Sequence, residues 1–210
     1  MTDADKQTFL DTARRVISIE TAALSALGDS LGAEFGEAIE LLLSANGRVI
    51  ISGMGKSGHI ARKIAATFAS TGTPAHFGRP AEAGHGDLGM MAQGDVALVL
   101  SNSGETPELA DLVAYTRRFN IPLIGVASRP DSTLIKQSDV GLILPKAEEA
   151  CGTGVVPTTT TTMTLALGDA LAVALMEHLS LIPICPSRRA TQGRSPVAAG
   201  HEKKEKRKSM

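Results

Sequence analysis

The chain has 210 residues, 43% of them hydrophobic and 20% charged, with a net charge of -1, which suits one soluble α/β domain with a full core, alone or with a tail. No apolar run approaches the roughly 18 residues of a membrane span, and Met1-Thr2-Asp3-Ala4-Asp5-Lys6 lacks the basic start and apolar centre of a secretory signal, so a cytoplasmic protein without a membrane partner is expected. With no tryptophan and a single tyrosine, Tyr115, there is little to stack on bases. The basic run Lys203-Lys204-Glu205-Lys206-Arg207-Lys208 reads as a solvated tail, so nucleic acid is not an expected partner.

From Lys6 to Leu27 the apolar residues Phe9, Leu10, Ala13, Val16, Ile17, Ala23, Leu24 and Leu27 recur at helical spacing, and Gly28-Asp29-Ser30 is expected to break the helix. A second helix is expected over residues 33–44, stopped by Asn46-Gly47 acting as a left-handed cap. This N-terminal helical pair, residues 1–46, packs either against a partner subunit or on the body of its own domain.

Strand-like runs then recur at 48–52, 75–77, 96–100, 123–127 and 140–144. Those at 96–100 and 123–127 are continuously apolar, as expected when both faces of a parallel sheet are covered. The layout predicts roughly five parallel strands joined by right-handed helical crossovers, an α/β fold with helices flanking the sheet over residues 47–178. Ligands of such sheets gather beyond the carboxyl ends of the strands.

The loop after the first strand is Gly53-Met54-Gly55-Lys56-Ser57-Gly58-His59, opening a helical pattern that runs from Ile60 towards Thr71. Glycines such as Gly55 let the backbone come close to a ligand, and the first turn of the next helix presents unpaired N–H groups, so an anion fits there. Lys56 adds a mobile positive charge. Ser57 offers a hydroxyl that caps the helix or binds a phosphate oxygen. The spacing is not that of a Walker A loop. Gly53, Gly55 and Gly58 do fall at Gly-x-Gly-x-x-Gly, but the next strand ends in Gly78-Arg79-Pro80 without the acid a dinucleotide site requires.

Three further loops carry candidate chemistry. In Glu82-Ala83-Gly84-His85-Gly86-Asp87-Leu88 an imidazole stands between two glycines. It could exchange protons near neutral pH or, with Glu82 and Asp87, touch a metal, although the spacing matches no strong zinc pattern. Ser101-Asn102-Ser103-Gly104-Glu105-Thr106-Pro107-Glu108 is a second anion cradle leading into a helix at Leu109. Glu105 and Glu108 there serve either as acid/base carboxylates or as first-turn acids favoured by the helix dipole. Finally, Glu148-Glu149-Ala150-Cys151 precedes Thr158-Thr159-Thr160-Thr161-Thr162, whose threonines suit the first turn of an apolar helix over 163–176. Cys151 and Cys185 are too few for a disulfide framework and lack Cys-x-x-Cys spacing, so neither a staple nor a zinc site is indicated; Cys151 is either a reactive thiol or a small buried apolar group.

Taken in order, Gly-Met-Gly-Lys-Ser-Gly-His, Ala-Gly-His-Gly-Asp-Leu-Gly, Ser-Asn-Ser-Gly-Glu-Thr, Glu-Ala-Cys and Pro-Thr-Thr-Thr-Thr-Thr resemble the sugar isomerase (SIS) domain of the arabinose-5-phosphate isomerases, from about Thr12 to His178. The resemblance implies a three-layer, flavodoxin-like fold and the interconversion of D-arabinose 5-phosphate and D-ribulose 5-phosphate, feeding Kdo synthesis for lipopolysaccharide or capsule. It also implies a homotetramer and no organic cofactor. By analogy Gly55, Ser57, Ser101, Asn102, Ser103, Gly104, Glu105, Thr106 and the turn Thr158, Thr159, Thr160, Thr161 bind the substrate and its phosphate. Lys56 steadies charge developing in an enediol(ate), His85 opens the ring or shuttles protons, and Glu108 and Glu149 are the acid/base carboxylates, with the choice between them open.

The family pattern continues into His-Pro-Gly-Gly-x-Leu-Gly and often into a pair of CBS domains, whereas this sequence reads Leu181-Ile182-Pro183-Ile184-Cys185-Pro186-Ser187-Arg188-Arg189-Ala190-Thr191-Gln192. Bases encoding Pro186 to Gln192, read one nucleotide forward, can spell His-Pro-Gly-Gly-Arg-Leu. We hypothesise that residues 179–210 are an out-of-frame tail; codons in the gene incompatible with that alternate peptide would sink the idea. Without the motif's histidine, which His201 is in the wrong context to replace, the alternative to an isomerase is a phosphosugar-binding domain with little turnover. An isomerase of another phosphosugar is a third option.

Overall fold

The computed structural model describes residues 1–80, 87–152 and 156–181. Helix α1 (Asp3–Ser30) opens on a capping box. The Thr2 hydroxyl accepts from the Asp5 N–H while the Asp5 carboxylate accepts from the Thr2 N–H, which satisfies two N–H groups that the helix itself cannot. The helix runs through Gly28-Asp29-Ser30 rather than breaking before it. Leu27 is buried against the domain, and the packing gained there outweighs the modest helix penalty of one glycine.

Helix α2 (Ala33–Leu43) ends close to the expected place but for a different reason. Ser44 caps it in ordinary right-handed geometry, and Gly47 is not in the left-handed region. Gly47 is a point of close approach instead: its N–H donates to the Gly94 carbonyl at 2.8 Å, and a Cβ there would lie 2.3 Å from Asp95 Oδ1.

Five strands form one parallel sheet: β1 (Val49–Gly53), β2 (Ala75–Gly78), β3 (Val96–Leu100), β4 (Leu123–Ala127) and β5 (Val140–Ile143), in the order β2-β1-β3-β4-β5. All pairings are parallel. Helix α3 (Gly55–Ser70) joins β1 to β2, α4 (Ala110–Phe119) joins β3 to β4, and the short α5 (Thr133–Gln137) joins β4 to β5. Between β2 and β3 the described residues include a 3₁₀ turn, Asp87–Met90. A second 3₁₀ turn, Pro107–Leu109, precedes α4, so the helix expected at Leu109 begins one residue later.

The apolar strands divide their side chains between two faces because successive residues point opposite ways. On one face Val49, Ile51, Leu98, Leu100 and Ile124 pack with Ile64 and Phe68 of α3 and with α6 (Thr159–Leu181). On the other, Ile50, Ala97, Val99 and Leu123 pack with Leu112, Val113 and Leu134 from α4 and α5. The result is the expected three-layer arrangement.

Helix α6 starts earlier and ends later than its apolar run suggested. Among the described residues it is the one helix long and apolar enough by length and composition to cross a membrane, although no unbroken apolar run is that long, and half of that stretch is buried inside the protein. Its Met163, Leu167, Leu171 and Leu175 are buried in the core. Asp169 pairs with Lys63 of α3, Lys63 Nζ lying 2.6 Å from Asp169 Oδ2. Next to that pair, a Cβ on Gly168 would lie 2.3 Å from Ile64 Cδ1, so the two helices meet almost backbone to side chain.

Candidate functional site

The register places Gly53 beside Leu100, so β1 and β3 end level with each other. The segments that follow, Met54 with the first turn of α3 and the loop Ser101–Thr106, therefore leave the sheet side by side. The order β2-β1-β3 also reverses direction here, and that reversal opens the crevice where doubly wound sheets hold ligands. The start of α6 closes the third side. Lys56, Ser57, Asn102, Thr160, Thr161 and Thr164 line a cleft of about 190 Å³.

Two kinds of glycine build the first wall. Gly55 has φ +57 with open space around it, so it serves conformation alone. Gly58 is packed so tightly that a Cβ would lie 2.6 Å from the Gly53 carbonyl oxygen. Met54, not Ser57, stands at the N-cap, and it supplies no side-chain hydrogen bond. The first-turn N–H groups of α3 have no acceptor within the helix. Ser57, expected as a possible cap, sits inside the first turn with its residue on the cleft wall. Lys56 is exposed at the rim.

The second wall is stiffened from within. The buried Ser101 hydroxyl accepts from the Gly104 N–H at 3.0 Å and is 2.7 Å from the Thr106 hydroxyl. The Ser103 hydroxyl accepts from the Glu105 N–H at 3.2 Å. Gly104 has φ +67, and a Cβ there would lie 2.1 Å from Ser132 Oγ. Asn102 is fixed by the residue after β4: its side-chain oxygen accepts from the Ser128 hydroxyl and its carbonyl accepts from the Ser128 N–H at 2.9 Å. Of this loop, Asn102 is the residue brought into the cleft beside Lys56.

Glu105 turns away. Its carboxylate accepts from the Thr133 N–H at 2.8 Å, and the Thr133 hydrogen bonds hold it below the ordinary carboxylate range. It borders a second cavity of about 380 Å³ with Gly104 and Thr106, floored by Leu109, Val113 and Leu134. Although larger, that cavity is a poor anion site, because Glu105 is the only charged residue among its described lining. Glu108 is exposed on the 3₁₀ turn and lines neither opening.

The third wall depends on Glu149, which is half-buried. Its Oε2 accepts from the Thr158 N–H at 2.6 Å and from the Thr158 hydroxyl at 3.0 Å, and its Oε1 accepts from the Thr160 hydroxyl. Burial pushes this carboxyl upward, but the hydrogen bonds from Thr160 and Thr158 together outweigh it and hold the group below its ordinary range. The Thr158 and Thr159 hydroxyls accept from the Ala150 N–H at 3.0 and 3.1 Å. Arg15 of α1 donates to the Ala150 carbonyl at 3.1 Å. The segment bearing Glu149 is thus clamped between the first helix and the last.

Thr164, absent from the expected set, lines the cleft one turn beyond Thr160, its hydroxyl donating to the Thr160 carbonyl at 2.7 Å. The i, i+4 spacing on an already suspected helix start was the signal that could have found it. His85 and Glu82 lie outside the described residues. Among the described residues no cluster of His, Cys, Asp and Glu could hold a metal ion.

Residues 41–174 match the model of the SIS domain, and the chain belongs to the SIS domain family. It is 50% identical over 169 residues to the arabinose 5-phosphate isomerase KdsD of Pseudomonas aeruginosa, covering 80% of this chain and 52% of that protein. The KdsD of Escherichia coli K12 is 47% identical over the same shares. The chain thus spans about half the length of the curated relatives it matches. Among solved structures it is similar to E. coli CFT073 c3406, determined in complex with arabinose 5-phosphate, at 38% identity and a TM-score of 0.80, covering 87% of this chain and 96% of that one.

Proposed function

We propose that the chain is an aldose–ketose isomerase interconverting D-arabinose 5-phosphate and D-ribulose 5-phosphate. The observation that carries this reading is the meeting of two helix starts, α3 and α6, with Lys56 and Asn102 in one cleft at the strand-order reversal. Helix N-termini and hydroxyls hold a phosphate dianion. The identity to the KdsD isomerases and the likeness to a structure in complex with arabinose 5-phosphate support this sugar over other phosphosugars.

In this reading Ser57, Ser101, Asn102, Ser103 and Thr106, the backbone of Gly55 and Gly104, and the Thr158–Thr161 turn hold the substrate. A base removes the proton on C2 of the open-chain aldose and returns it to C1, while the proton on O2 is lost and O1 gains one. The intermediate is an enediol(ate) whose developing charge Lys56 offsets. The resemblance offers Glu108 or Glu149 for the acid/base work, the choice between them open, and His85, outside the described residues, is assigned ring opening or proton shuttling. By resemblance, no organic cofactor is part of the proposal.

The product would feed Kdo and lipopolysaccharide synthesis in the cytoplasm. A homo-oligomer, a tetramer by resemblance, is part of the proposal. The exposed apolar residues of α1 support it, since Phe9, Leu10 and Ile17 are 62%, 52% and 65% exposed on a helix whose buried residues, Ala23 and Leu27, lie nearer its C-terminal end. The second reading, a phosphosugar-binding domain with little turnover, rests on the missing His-Pro-Gly-Gly segment. Mixing the purified chain with arabinose 5-phosphate and measuring both binding and ribulose 5-phosphate formation separates the two: binding without product would reject the isomerase.

A further inference from the structure

We infer that Glu149 is a positioning residue, whose carboxylate ties down the start of α6 so that Thr160 and Thr161 face the cleft, and that it is not the group taking the carbon-bound proton. For its turnover arm this rests on the isomerase reading above.

Both oxygens of Glu149 are already occupied. Oε2 holds the N–H and hydroxyl of Thr158, and Oε1 holds the hydroxyl of Thr160. Thr160 is the residue that passes the restraint on, since it touches Glu149 and also lines the cleft. Glu149 itself does not line it. A carbon base must aim a lone pair at the substrate and titrate near the working pH. Glu149 does neither, being turned to α6 and held ionised by the donors it accepts.

The placement also explains the threonine run. A carboxylate beside the first turn of a helix is stabilised by the dipole and by the N–H groups exposed there. The Thr158 hydroxyl donates to Glu149 and accepts from the Ala150 N–H, so the loop and helix are pinned at two points. Thr161 and Thr162 return their hydroxyls to the Thr158 carbonyl at 2.7 and 3.1 Å, tightening the same turn.

The test compares Glu149→Gln with Glu149→Ala in the full chain. The amide oxygen of glutamine can still accept from Thr158, and its NH2 can donate to the Thr160 hydroxyl once that hydroxyl turns, but glutamine cannot act as a base. Exchange of the substrate's C2 proton with deuterated solvent is measured with kcat and KM over a range of pH. If Glu149 positions, Glu149→Gln keeps exchange and kcat within about tenfold and preserves the acid limb of the pH profile, while Glu149→Ala raises KM by about 10- to 100-fold. If Glu149 is the base, both variants lose exchange by about 10²- to 10⁴-fold with KM little changed, which overturns the inference.

Should the parent chain not turn over arabinose 5-phosphate, the isomerase reading fails separately. The inference is then read from inorganic phosphate binding, with Glu149→Ala weakened and Glu149→Gln restored; equal dissociation constants for parent and Glu149→Ala would reject it. Where Glu149→Ala does not fold, exchange or phosphate binding in Glu149→Gln decides alone: near-parent values support positioning, and a loss beyond about a hundredfold opposes it.

Discussion

The carbonyl oxygen of Gly53 lies 2.6 Å from the place a Cβ on Gly58 would take. Because the obstacle is backbone, Gly58→Ala must push α3 off the end of β1. We expect a loss of about 1–3 kcal/mol of stability together with weakened phosphate binding. At Gly55 the space is open and φ +57 is the sole constraint. Gly55→Ala should cost about 1–2 kcal/mol and Gly55→Asn less, since asparagine tolerates the left-handed region. Thermal melts and phosphate titrations of the three variants check the ranking, and a Gly58→Ala as benign as Gly55→Asn would contradict it.

Lys56→Met should harm turnover more than binding. The side chain is exposed at the rim, so its removal leaves the helix starts and hydroxyls in place but takes away the cation proposed to offset the developing enediolate. A fall in kcat of about 10²- to 10³-fold is expected, with a far smaller change in Kd for arabinose 5-phosphate. Equal losses in the two would return Lys56 to simple anchoring.

In Gly104→Ala two costs coincide, a positive φ and a Cβ 2.1 Å from Ser132 Oγ. The Ser101–Thr106 loop should loosen and Asn102 should lose its place beside Lys56. Adding Ser132→Gly relieves the collision but not the φ, so it should restore part of the stability and phosphate affinity. Full restoration in the double variant would show that the left-handed geometry is immaterial.

Asp139 and Glu149 both titrate below their ordinary values of 3.8 and 4.5. For Asp139 the first cause is the Arg117 hydrogen bond, and burial opposes it. A depressed folded-state value means stability that is fully present above the unfolded value and lost as pH falls through the lower folded one. Melting temperature should therefore be flat at neutral pH and drop below about pH 4.5. Asp139→Asn and Glu149→Gln should each lower the neutral plateau and make the acid fall shallower; an unchanged pH slope in both would refute this assignment.

Much of the sheet was readable in advance because a strand covered on both faces must be apolar throughout, as 96–100 and 123–127 are. The cleft's residue types were readable for a similar reason: Gly55, Lys56 and the threonine run announce helix starts, whichever tertiary neighbour they meet. What could not be read was where a side chain turns. Glu105 and Glu149 each follow a strand beside hydroxyl-rich residues, yet both carboxylates are spent on helix starts, α5 and α6, that lie 28 and 9 residues further along. Gly47 looked like a cap since Asn-Gly so often is one, and only its closeness to Asp95 reveals the reason it must be glycine. The length of α6 escaped because its first threonines carry weak helix propensity, which the Glu149 hydrogen bonds override.

The hydrogen bond from Arg15 to the Ala150 carbonyl spans 135 positions in the sequence. It makes the first helix a distant strut of the threonine turn, fastened next to the carboxylate that sets Thr160. If the proposed assembly forms through the exposed Phe9, Leu10 and Ile17, assembly and substrate affinity are linked through that strut by mass action: dilution should then weaken phosphosugar binding, and saturating phosphosugar should favour association.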